Sequence, residues 1–85
     1  MSDWVRGDRV WWNSMSARRR AGGTAPEGFP ATVLRGAGRD WVTLVCVLNG
    51  SGHWYPQRAR VADLASRHNY MAVDVVADKA LGQLP

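Results

Sequence analysis

The most pronounced pattern in the chain is Trp41-Val42-Thr43-Leu44-Val45-Cys46-Val47-Leu48, in which Thr43 alone is polar. β-branched and aromatic side chains suit an extended, pleated backbone, so this run predicts a strand. Side chains alternate between faces along a strand. One set is Trp41, Thr43, Val45 and Val47; the other is Val42, Leu44, Cys46 and Leu48. An antiparallel strand with one wet face alternates apolar and polar residues. This one asks for cover on both faces, either from the chain's own C-terminal segment or from another copy of the protein.

Shorter runs flank it. Arg9-Val10-Trp11-Trp12-Asn13 has strand composition, and so does Phe29 to Leu34, with Pro30 confined to its start or to an edge. Between them, Ser14 to Gly28 is dense in Gly, Pro and Arg and reads as a long surface loop. Gly36 to Asp40 is a turn. Asn49-Gly50 suits a tight hairpin turn, because both residues tolerate positive φ. His53-Trp54-Tyr55 is the returning strand, bent or ended by Pro56, and Arg58 to Leu64 forms a short strand or a single helical turn. Near the C-terminus Val73, Ala77, Ala80 and Leu84 recur at helical spacing, with Val76 and Leu81 beside them. Asn69 is the expected N-cap, Gly82 the expected stop, and Lys79 the cation favoured near the helix end. A strand through Met71, Val73 and Val75 is the rival reading.

These elements predict a mainly β fold, a five-stranded small barrel with a short C-terminal helix. Residues 1–6 are a lead-in, 7–65 the barrel, and 66–85 a helical extension. With 85 residues the chain is one domain, too short for separate cofactor and substrate domains. Hydrophobic residues at 46% and charged residues at 21% are globular proportions. A single Cys excludes an intramolecular disulfide framework.

The net charge of +4 is almost entirely Arg. It would attract anions such as nucleic acid or phosphorylated cofactors, although an Arg-rich composition also serves solubility alone. No apolar run approaches the ~20 residues of a membrane span. The start, MSDWVRGDRV, lacks the layout of a secretory signal, so a cytoplasmic location is expected.

Little catalytic chemistry stands out. Two His and one Cys do not supply a zinc site. Cys46 reads as an inert core thiol and His68 as a surface residue. No nucleophile sits on a triad motif, and Gly36-x-Gly38 leads into a strand, where a phosphate-binding loop requires a helix. Arg18-Arg19-Arg20 is either a solvated loop or a set of phosphate contacts. Trp11, Trp12, Trp41 and Trp54 either stack bases or fill a core. Trp11 and Trp12 are neighbours on one strand and cannot share a face, so one is core and the other is exposed or at an interface.

Gly7-Asp8-Arg9-Val10, Ala31-Thr32-Val33 and Val61-Ala62-Asp63-Leu64 resemble an SH3-like small barrel of the KOW or Tudor kind, over about residues 7–65. Within that group Gly7-Asp8-Arg9-Val10, Gly50-Ser51, Tyr55-Pro56 and Val61-Ala62-Asp63-Leu64 are most similar to the plasmid-borne, trimethoprim-insensitive type II dihydrofolate reductases. That resemblance implies a homotetramer whose central pore, lined by copies of a Val-Gln-Ile-Tyr-Pro strand, holds NADPH and dihydrofolate. Tyr55 and Pro56 match the last two motif positions. His53 stands in place of the substrate-contacting Gln, Trp54 in place of Ile, and Trp11 or Trp12 in place of the pore-mouth Lys. Gln57 to Arg60 are extra, and Arg58 and Arg60 bring cations near the pore. Catalysis in that family is mainly the positioning of two ligands.

Two readings follow. The first is a small basic SH3-like binding module, self-associating, with no cofactor or metal and no membrane contact. It takes an anionic or aromatic partner, nucleic acid foremost. Trp12, Trp54, Arg58 and Arg60 are its expected ligand contacts, and Arg18, Arg19 and Arg20 its phosphate contacts. The alternative is an NADPH-dependent dihydrofolate reductase in which His53 and Tyr55 are catalytic. A small protein that binds and inhibits another protein is a third class.

Overall fold

Extended backbone forms wherever the aromatic and β-branched runs lie. The computed structural model describes residues 4–14, 28–48 and 52–85. Strand β1 is Arg9–Trp12, β2 Phe29–Gly36, β3 Trp41–Val47, β4 Trp54–Arg60 and β5 Leu64–Ser66, with a 3₁₀ turn at Val61–Asp63. All pairings are antiparallel, in the order β4-β3-β2-β1-β5. Among the described residues one helix, α1, spans Ala72–Gln83. The domain is therefore mainly β, with five antiparallel strands and a C-terminal helix. The Arg18–Arg20 segment and the Asn49-Gly50 tip lie outside the described residues.

Two strand expectations need correction. Pro56 neither bends nor ends β4, which continues through it to Arg60. It is tolerated because β4 is an edge strand, where a missing N–H on the open side breaks no ladder. Strand β2 also runs past Leu34 to Gly36, with a bulge between Val33 and Arg35.

Period-two alternation sorts the side chains into two cores. On one face of the sheet Val10, Trp12, Phe29, Ala31, Val33, Val42, Leu44, Cys46 and Ala59 pack together, with Trp4, Tyr55, Val61 and Leu64 against them. Trp12 and Phe29 meet edge to face at 6.4 Å, a preferred aromatic geometry. On the other face Leu34 and Val45 meet Ala77 and Ala80 of α1, flanked by Trp54, Leu81 and Leu84. The small Ala side chains let the helix lie close to the sheet. The doubly apolar β3 thus finds its second cover in its own chain.

The ends of α1 are not held as the pattern predicts. The N-cap is Met71, not Asn69, whose carbonyl accepts from Arg67 Nη1 at 2.9 Å. Asp74, in the first turn, reaches back to accept from the Met71 N–H at 2.7 Å, satisfying one of the donors a helix start leaves open. At the other end neither Gly82 nor Lys79 acts as cap. The Arg6 guanidinium donates to the carbonyls of Leu81, Leu84 and Pro85, placing a cation where the helix dipole favours one. The lead-in is thereby tied to the opposite end of the chain.

Gly82 is an ordinary helical residue, and a Cβ there would meet nothing within 4 Å. Gly82→Ala should therefore stabilise the domain by about 0.5–1 kcal/mol, read from urea midpoints at constant m-value. Gly28 is the reverse case. Its φ is +106°, and a Cβ there would overlap the Trp12 carbonyl, so β2 can begin beside β1 only with Gly. Gly28→Ala is expected to cost at least about 1–3 kcal/mol in the same melts.

Candidate functional site

The five Trp side chains divide by what they touch. Trp12 is 4% exposed in the inner core and Trp4 packs against that core. Trp12, expected among the ligand contacts, has no free face to offer; the inward alternation of β1 places it inside, opposite Phe29. Trp11 points the other way, with the Arg67 guanidinium 5.6 Å from its ring. Trp54 lies against the helix-side cluster. Trp11 and Trp41 pack against neither core, and of the two Trp41 has a pair of arginines beside its ring.

Its surroundings follow from strand register. Directly paired residues share a face, so Trp41, Thr43, Val45 and Val47 lie beside Arg60, Arg58, Pro56 and Trp54 in turn. Helix α1 covers the half of this face that holds Val45 and Trp54. The other half is open and presents two rows. In one, Arg35, Thr43 and Arg58 lie abreast across β2, β3 and β4; in the next, Trp41 lies beside Arg60. The bulge in β2 makes the first row possible. Without it Leu34 would pair with Thr43, and Arg35 would turn toward the inner core; a bulge re-aims the side chains beyond it.

The result is a ring bordered by cations. The Arg58 guanidinium carbon is 4.7 Å from the Trp41 ring centre and that of Arg60 is 5.1 Å. Both arginines are exposed, as are Arg35 and, in the adjoining turn, Arg39. Beside them the surface dips into an open depression of about 470 Å³ lined by Asp40, Trp41, Arg60, Val61 and Ala62. The 3₁₀ turn holds its rim, since the Val61 N–H donates to the Asp40 carbonyl at 2.9 Å. Chemically the patch offers delocalised cations with planar donors, one indole and a single carboxylate. Arg suits phosphate through bidentate, charge-assisted bonds, and the indole suits a flat ring.

The remaining expected residues do not converge on it. His53 is exposed and precedes β4, and its carbonyl accepts from the Leu48 N–H at 2.9 Å. Tyr55 is half-buried against the inner core, on the opposite face of β4 from Trp54. Arg18, Arg19 and Arg20 fall outside the described residues. Arg58 and Arg60 are the expected contacts that the fold does bring together. Arg35 and Asp40 were not anticipated, and Trp41 could not be told from its fellow tryptophans without the register.

No family model, curated protein or solved structure matches this chain.

Proposed function

We propose that the chain is a small nucleic-acid-binding domain of the SH3-like kind, using the open half of the helix-side sheet face. The observation that carries this reading is Trp41 between Arg58 and Arg60, with Arg35 abreast of them. A positive strip tracks a phosphate backbone while an aromatic ring stacks a base, the combination used by sequence-tolerant single-strand binders. An exposed cation–π contact is worth only ~0.5–1 kcal/mol, whereas base–aromatic stacking is worth ~1–3 kcal/mol. A base therefore displaces a guanidinium from the indole at net gain, and the freed Arg moves to phosphate.

Chain connectivity supports the SH3-like description. Arg60 and Leu64 lie on opposite edge strands of the sheet. Four peptide steps span at most about 14 Å, yet four strand spacings in a flat sheet span about 19 Å. A flat sheet does not fit so short a link, and a curled one, as in an SH3-like barrel, does. Backbone bonds from Asn13 N–H to the Asp63 carbonyl and from Val61 N–H to the Asp40 carbonyl tie both sides to the same 3₁₀ turn.

Binding of a fluorescently labelled thymidine strand, followed by anisotropy across a salt series, tests the reading. The expected result is a log K that falls linearly with log salt concentration. No binding at low salt, or binding indifferent to salt, would overturn it.

A further inference from the structure

We infer, resting on the nucleic-acid reading above, that the depression beside Trp41 holds one unpaired guanine of a single strand. The base stacks on the indole, and the Asp40 carboxylate grips its Watson–Crick edge. Asp40 is the feature that phosphate attraction alone leaves unused. It lines the depression together with Arg60. Yet its carboxylate makes no hydrogen bond or ion pair among the described residues. A lone carboxylate on a cationic face opposes phosphate and has its acceptor capacity free. Its backbone is anchored by the Val61 N–H, and half-buried Val61 packs on the inner core, so the acceptor sits on a fixed rim.

The lining narrows the ligand. A cationic group meets Arg58 and Arg60, and a bare anion meets Asp40. A planar, neutral group with N–H donors, carried on a phosphate backbone, satisfies indole, carboxylate and arginines together. Among the bases, guanine alone presents two adjacent donors, N1–H and the N2 amino group, to the two oxygens of a carboxylate. In cytosine and adenine an acceptor nitrogen stands beside the amino group, and the N3–H of thymine or uracil lies between two carbonyls. Each sets a lone pair against the carboxylate. Since duplex pairing hides this edge, the ligand is single-stranded.

The test compares short thymidine strands carrying one central guanine, cytosine, adenine or thymine, titrated into the wild-type chain and into Asp40→Asn by fluorescence anisotropy. Wild type should bind the guanine strand about tenfold or more tighter than the others. Asp40→Asn should lose that preference while binding the all-thymine strand at least as well. Equal wild-type affinity for all four strands, or a preference that survives in Asp40→Asn, would overturn the guanine assignment and leave the nucleic-acid reading standing. Failure of every strand to bind would overturn both. Competition by guanosine 5′-monophosphate as strong as by the guanine strand would overturn the strand as ligand.

Discussion

Asp74→Ala is expected to destabilise the domain by about 3–5 kcal/mol, the cost of removing one partner of a buried ion pair. Asp74 and Arg67 side chains are both fully buried and meet through two contacts of 2.7 Å. Arg9 stands 3.7 Å from the same carboxylate, which also holds the Met71 N–H. A domain of this size is stable by only about 4–13 kcal/mol, so the variant should lose a large share of that stability, read as a lowered urea midpoint. Removing both charges does not rescue it. Arg67 also donates to the carbonyls of Val10, Ala31 and Asn69, and an Arg67→Met, Asp74→Leu double variant leaves those acceptors without their donor. This pair therefore fastens α1 and the segment after β5 to the sheet.

The same pair sets an acid limit. Burial alone would raise the pKa of Asp74. The Arg67 hydrogen bonds, the Met71 N–H and the charges of Arg67 and Arg9 outweigh it and hold the carboxyl below its ordinary value. A depressed carboxylate contributes fully above its unfolded pKa and loses that contribution as pH falls through the folded one. The gap in urea midpoint between wild type and the milder Asp74→Asn should thus be constant near neutrality and narrow below about pH 4. A gap unchanged down to strongly acid pH would contradict this account of the pair.

Binding carries the second large effect. Trp41→Ala should weaken single-strand binding by the ~1–3 kcal/mol of one stacked base, about five- to 150-fold, without changing the salt slope. Arg58→Ala with Arg60→Ala should act differently, lowering the slope by about 1.4 as two phosphate contacts are lost. Both arginines are exposed on an edge strand, where substitutions usually shift stability by no more than about 0.5 kcal/mol. A Trp41→Ala variant that folds by circular dichroism and binds like wild type would remove the indole from the site.

Much of the fold was legible where one local rule decided. The run from Trp41 to Val47 could only be a strand needing cover on both faces, and the helical spacing of Ala77, Ala80 and Leu84 supplied that cover. Local caps were misleading because distant groups took their place. Arg6 ends the helix from the other end of the chain, and Asp74, committed to Arg67, also starts it. The site was half legible. Arg58 and Arg60 stood out as cations beside an aromatic strand, but their convergence on Trp41 depends on the β3–β4 register. Arg35 joins them through a bulge that no composition marks. Trp12 and Trp54 have the same chemistry as Trp41; the inward face separates Trp12 from it, and the helix-side cluster packed against Trp54 separates the other.

The claim that the open sheet face is the nucleic-acid surface is tested most directly by backbone amide NMR shifts on adding a short thymidine strand with one guanine. The expected shifts are concentrated in residues 35–43 and 57–62. Shifts confined to α1, or to residues 15–27 with Arg18, Arg19 and Arg20, would contradict it.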